Sequence, residues 1–268
     1  MSLLTLSLLA IVQGITEFLP ISSSAHLVLL HELDGTQVNA LALDVAVHLG
    51  SIVAVVLYFR TDAARAARGL GLLLRGRMAS PDAFLALCLM LATIPAVVAG
   101  AILAMTGWID LLRDTRVIAV TMIVFGVMLW WIDRRAPQTR AAAGWTLRHA
   151  LGMGLWQAVA LVPGVSRSGI TITAGRMLGY ERHAATRLSM LMSIPVTLAS
   201  GALLGQKALS GPIDPGLWRD AGLAAVLAFG AAYLALALMI RFLDRVSFTP
   251  YVIYRIVLGI VLLALVSG

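Results

Sequence analysis

The chain has 268 residues, 60% of them hydrophobic and only 12% charged, with a formal net charge of +7. A soluble domain carries about 25% charged residues, so half that fraction, with a mean hydropathy of +0.94, excludes an ordinary soluble protein. The positive charge lies on arginines between apolar runs, where it orients a membrane protein and gives no reason to expect nucleic acid as a partner.

Apolar runs of roughly 17 to 25 residues recur without strand alternation, so the backbone is expected to cross the bilayer as α-helices. The lone Cys88 has no intrachain disulfide partner, and no Cys/His cluster has zinc-site spacing. The N-terminus lacks a basic stretch, and Gln13 and Glu17 follow its apolar run, so no cleaved signal peptide is expected.

Taken in order, residues 3–19 form the first helical run, stopped by Pro20. Residues 23–30 predict a short helix with Ser22 or Ser23 at its N-cap, and a polar connector runs from His31 to Asn39. Spans follow at about 41–59, 84–106 and 116–132, separated by an arginine-rich loop, 60–83, and a short loop, 107–115. After a basic loop at 133–149 comes a short apolar run, 150–162, a break at Pro163-Gly164, and a short helix at 169–179. Spans at about 187–205, 221–240 and 250–267 complete the chain, joined by loops 206–220 and 241–249.

The order is one broken helix pair and three spans, twice over. Gln13 to Ser24 resembles Gln157 to Ser168 with a one-residue gap, so one domain, 1–268, is read as two halves, about 1–133 and 146–268. Three spans per half invert the second half if each broken pair enters and leaves on one side. With both pairs re-entrant, 14 basic residues fall on one face and 4 on the other; if the second pair crossed, the split would be 11 to 7. Basic loops collect on the cytoplasmic side. The expected fold is therefore an all-α integral membrane protein with six transmembrane helices and two re-entrant pairs in an inverted-topology repeat, a known way to build a polar site in lipid.

The two breaks carry the chemistry. Gln13 and Glu17, four apart, share a helix face, and a carboxylate in a membrane helix costs about 2.5–3.5 kcal/mol even on insertion scales. Glu17 suits a proton carrier or, with Gln13, an oxygen ligand for Mg²⁺ or Ca²⁺. His26 lies one turn beyond Ser22 and Ser23, with Ser24 between, so a serine nucleophile with a histidine base is expected there. Arg167, flanked by Ser166 and Ser168 and followed by Gly169, offers a planar fork and helix-start N–H groups to an anion. Together these features point to phosphate. His31, His149 and His183 read as solvated, His48 as hydrogen-bonded within the bundle, and Arg255 as snorkelling or paired with Asp244.

These motifs resemble the undecaprenyl-diphosphate phosphatase family of bacterial inner membranes, associated with bacitracin resistance. The resemblance rests on Gln13-x-x-x-Glu17-Phe18-Leu19-Pro20-Ile21-Ser22-Ser23, His26 and Pro163-Gly164-Val165-Ser166-Arg167-Ser168-Gly169. Lesser matches are His48-Leu49-Gly50-Ser51, Ile94-Pro95-Ala96 and Phe248-x-x-Tyr251-x-Ile253-Tyr254-Arg255. It implies a multi-pass inner-membrane enzyme that removes the terminal phosphate of undecaprenyl diphosphate, depends on a divalent cation and opens to the outer face. Many members have glutamate where this chain has Gln13, and a glycine where it has Ala25. The mechanism expected from these residues has Arg167 holding the phosphate, Ser23 attacking with help from His26, and Glu17 serving the cation or the proton. Attack by water or by His26 itself is left open, as is the oligomeric state, a homodimer being one option. The reading from a different class is a carrier for a polyprenyl phosphate lipid, since broken helices and an anion site suit transport as well.

Overall fold

The structure, a computed structural model, describes residues 2–34, 40–108, 112, 114–209 and 216–267. The connector at 31–39 and the loops at 107–115 and 206–220 lie in part outside the described residues. Among the described residues every regular element is helical: α1 Leu3–Phe18, α2 Ser23–Asp34, α3 Ala40–Tyr58, α4 Arg60–Leu74, α5 Pro81–Thr106 and α6 Thr115–Arg135. A 3₁₀ turn, Ala142–Gly144, leads into α7 Leu147–Val159, α8 Arg167–Met177, α9 Arg182–Leu209, α10 Leu217–Phe242 and α11 Thr249–Ser267.

Capping residues set several starts. Ser80 accepts from the Ala83 N–H ahead of Pro81, Asp114 from Arg116, and Thr146 from His149. Among the described residues six helices are long and apolar enough to cross a membrane: Leu41–Tyr58, Pro81–Thr106, Thr115–Arg135, Arg182–Gln206, Leu217–Phe242 and Thr249–Val266. Their outer faces expose large apolar side chains such as Met105, Val226, Val257 and Leu265, which only lipid would cover. The protein is thus an all-α, multi-pass membrane protein.

The short helices α1 and α7 pack against these long ones on one face and expose leucines such as Leu4 and Leu155 on the other. α1 packs on α10 through Gly14, where an added Cβ would come within 2.5 Å of the Ala228 carbonyl oxygen. In the same manner α7 packs on α5 through Gly154, whose Cβ would stand 2.6 Å from the Ala92 carbonyl oxygen. Each broken helix therefore crosses a long helix belonging to the other end of the sequence.

Two sequence readings need correction here. The segment 60–83, read as a loop, holds α4. Its charges hide an amphipathic helix that buries Asp62 and Gly69 while its arginines stay outside. Arg255 neither snorkels nor meets Asp244; it is fully buried. Asp244 pairs instead with His183 at 2.7 Å.

The arginine-rich segments converge at one end of the molecule. Asp62 receives Arg187 Nε and Nη2 at 2.7 and 2.6 Å. Asp133 receives both Arg176 and Arg182, and Arg176, itself fully buried, also donates to the Asp133, Ala136, Pro137 and Tyr180 carbonyls. The backbones at Arg140 and Tyr180 run together, with Arg140 N donating to Gly179 O and Glu181 N to Arg140 O. The chain thus leaves for α7 and returns from α8 at neighbouring points. The Tyr180 hydroxyl donates to Gly144 O and meets His149 Nδ1 at 2.7 Å. Burial pushes it up to about 12, so it stays a neutral donor.

Candidate active site

Pro20 stops α1 and the chain reverses through Ser22 into α2. Pro163-Gly164 does the same between α7 and α8, through Ser166. Both serines take a left-handed backbone, φ +74° at Ser22 and +70° at Ser166, and they are the only non-glycine residues with positive φ among those described. Such conformations cost about 1–3 kcal/mol each and persist where the surroundings impose them, often at functional sites. In both turns the serine hydroxyl lies 3.2 Å from that of the serine two residues on, Ser24 in one and Ser168 in the other. Between them stand Ser23 in the first turn and Arg167 in the second.

The two turns touch. Ser168 Oγ donates to Leu19 O at 2.9 Å, and Thr121 of α6 donates to Pro163 O at 2.7 Å. Beneath both lies Arg255 of α11. It donates to Gly164 O and Val165 O at 3.0 and 2.9 Å, to Met122 O at 3.1 Å, and reaches Pro20 O at 3.5 Å. Its guanidinium so binds carbonyls of both breaks at once. A Cβ at Gly169 would stand 2.9 Å from Arg255 Nη1, so a larger residue there would displace the guanidinium.

Glu17 is the centre of the polar site. Its Oε1 accepts from Arg167 Nη2 at 2.5 Å, and its Oε2 accepts from Gln13 Nε2 at 2.6 Å and Ser23 Oγ at 2.7 Å. Arg167 Nη1 donates to Thr197 Oγ1 at 2.5 Å and Ser193 O at 3.2 Å, both on α9. One carboxylate thereby joins both halves of the sequence. A cavity of about 200 Å³ opens beside it, its lining including Glu17, Ser22, Ser23, Ser24, Ser166 and Arg167, with His48, Gln157 and Thr197. Ser168 and Gly169 lie buried behind that lining.

The structure does not bring Ser23 and His26 together. His26 Nδ1 meets Ser22 O at 2.7 Å, which fixes the proton on Nδ1, so Nε2 accepts from the Tyr254 hydroxyl at 2.5 Å. The two rings stack with centroids 5.6 Å apart. Helical spacing put His26 over the serines, but its own i−4 carbonyl and a tyrosine from α11 take both nitrogens.

His48 is hydrogen-bonded within the bundle as read, and it also lines the cavity beside Glu17. Its Nδ1 lies 2.7 Å from Asp44 O and so carries the proton, leaving Nε2 3.6 Å from Glu17 Oε2. An ionisable residue within a span is the signal that marks it.

The described residues hold no cluster of three or more His, Cys, Asp or Glu suited to a metal. The oxygen set still fits a hard cation. Gln13 Oε1 is buried without a hydrogen-bond partner, and a half turn of the amide places it beside Glu17 in place of Nε2. Mg²⁺ is commonly held by one or two carboxylates together with substrate phosphates, which matches a site with a single glutamate.

Across residues 6–261 the sequence matches the family model described as bacitracin resistance protein BacA. The chain belongs to this family. Its relatives include proteins named undecaprenyl-diphosphatase from Dinoroseobacter shibae, 58% identical over 98% of both chains, and from Ruegeria pomeroyi, 54% identical over 99% of both. A protein of Stutzerimonas stutzeri named undecaprenyl-diphosphatase 2 is 44% identical over the whole of both. In this bacitracin resistance family member, the segments that match span both breaks and the helix carrying Arg255.

Proposed function

We propose that this protein hydrolyses undecaprenyl diphosphate to undecaprenyl phosphate and inorganic phosphate, returning the lipid carrier to cell-wall synthesis and so opposing bacitracin. The observation that carries this is the meeting of Glu17, Ser23 and Arg167 around one cavity, in a chain 58% identical to a named undecaprenyl-diphosphatase.

In this reading the terminal phosphate enters against Arg167. The guanidinium is already oriented by Thr197 and Ser193, and no described residue accepts from its Nε–H. Arg167 then stabilises the charge that grows on the phosphoryl oxygens. Arg255, buried without a carboxylate partner among the described residues, adds positive potential beneath both turns. Ser23 Oγ attacks the terminal phosphorus while its proton passes to Glu17, the carboxylate it already faces. The bond from phosphorus to the bridging oxygen breaks, and undecaprenyl phosphate leaves. Glu17 passes that proton to the departing phosphate. Water then attacks the phosphoserine and gives a proton to the freed carboxylate, the Oγ–P bond breaks, and Glu17 returns the proton to Ser23 Oγ as inorganic phosphate leaves. The base role that helical spacing gives His26 thus passes to Glu17. His26 holds the Ser22 carbonyl and ties α2 to Tyr254 of α11. Ser22, Ser24, Ser166 and Ser168 shape the two turns.

A divalent cation would be held by Glu17 and Gln13, and would neutralise diphosphate charge. Mg²⁺ and Ca²⁺ both suit these oxygens.

The architecture is read as two inverted halves, about 1–133 and 146–268, each with a re-entrant pair. The matching serine turns, the crossed packing of α1 and α7, and the return of the chain at Arg140 and Tyr180 support it. The arginine-rich end then lies in the cytoplasm of a bacterial inner membrane and the site opens to the opposite face.

Ser23 donating to a buried carboxylate favours hydrolysis over transport, since a carrier needs no activated hydroxyl. Proteoliposomes given a non-hydrolysable diphosphate separate the two: the phosphatase reading predicts no net movement of lipid, and flipping without hydrolysis would support the carrier.

A further inference from the structure

At the arginine-rich end, well apart from the catalytic cavity, lies a second cavity of about 310 Å³. Arg187 of α9 lines it, ten residues and so roughly 15 Å along the helix from Thr197 in the catalytic wall. One wall is basic. Arg65 and Arg187 flank Asp62, whose two oxygens Arg187 already fills. Arg65 and Arg68 share Asp82. The lining itself holds two arginines and one aspartate, leaving one positive charge in excess. The rest of the lining is largely apolar, with Phe84, Leu85 and Leu188. Trp145 closes it; it is 5% exposed and its indole N–H has no acceptor among the described residues.

We propose that this cavity binds the phosphate headgroup of an anionic phospholipid from the inner leaflet. A guanidinium left with spare donors matches phosphate oxygens. Basic pockets between membrane helices on the cytoplasmic side suit such headgroups. The apolar part of the lining selects an amphiphile over a free anion, and the volume, at the low end for ligand pockets, suits a headgroup and glycerol with the acyl chains left in the bilayer. A bound lipid would cross-link α4, α5, α9 and the 3₁₀ turn, elements that meet around Asp62. This site stands independently of the phosphatase reading.

The test is native mass spectrometry of the full chain in detergent with phosphatidylglycerol or phosphatidylcholine. The wild type should retain one phosphatidylglycerol at least tenfold more strongly than phosphatidylcholine. Arg65→Gln, Trp145→Phe and Ala143→Phe, which fills an exposed edge of the cavity, should each lower that retention about three- to tenfold. Phosphate release from substrate in detergent should not change in any of them, showing that they fold. Equal retention of the two lipids by the wild type, or variants that hold phosphatidylglycerol as it does, would overturn the proposal. Displacement of the lipid by millimolar inorganic phosphate would also overturn it, since the site would then be one for a free anion.

Discussion

Removing Arg167 should do two separable things. Glu17 is 8% exposed and its Oε1 faces the Arg167 guanidinium at 2.5 Å. Breaking a buried pair by deleting one partner costs about 3–5 kcal/mol, because the other charge stays buried without compensation. For a chain of this size, each 1 kcal/mol moves the melting temperature by about 2–4 °C, so Arg167→Met should melt about 6–20 °C below wild type. Adding Glu17→Gln removes the stranded charge, and the Gln amide still meets Ser23 and Gln13, so the double variant should recover more than half of that loss. Activity should not follow. Both variants lack the arginine that stabilises the transition state, and their turnover should fall about 10³- to 10⁵-fold. Melting followed by intrinsic tryptophan fluorescence and phosphate release from the same samples give both numbers. A double variant no more stable than Arg167→Met would refute the pairing argument, and turnover within tenfold of wild type would refute the catalytic one.

Further predictions follow from other contacts. Asp133, 3% exposed, receives two arginines, so Asp133→Ala should destabilise by about 3–5 kcal/mol; a melting temperature unchanged in detergent would count against the buried network. Substrate labelled with ³²P on its terminal phosphate should leave acid-stable label on wild type and none on Ser23→Ala, whereas an unlabelled wild type under single-turnover quench would move the attack to water at Glu17. Gln13→Glu sets a second carboxylate beside Glu17 and should lower the Mg²⁺ or Ca²⁺ concentration for half-activation at least tenfold; an unchanged value would remove Gln13 from the cation site.

Much of this arrangement was legible before any coordinates. The six spans follow from apolar run length, and Glu17 and Arg167 stand out because a charge inside such runs is costly. What sequence could not supply was which groups meet across the fold. His26 is near Ser23 by helical spacing, yet Tyr254, 228 residues away, takes its Nε2. His48 reaches Glu17 only because α3 packs against α1. Arg255 has no acidic neighbour to predict its burial; it is satisfied by backbone carbonyls that the two breaks set free. α4 was missed because its arginines interrupt the apolar pattern that a membrane chain leads one to seek, while Asp62 on the same helix turns inward to Arg187.

The most direct measurement is inorganic phosphate release from undecaprenyl diphosphate by the purified protein, comparing wild type with Ser23→Ala and Glu17→Gln, each with and without EDTA. The account predicts release by wild type, abolished by the chelator, and lowered at least 10²-fold in both variants. Folded wild-type protein that releases no phosphate, or variants that release it at the wild-type rate, would contradict it.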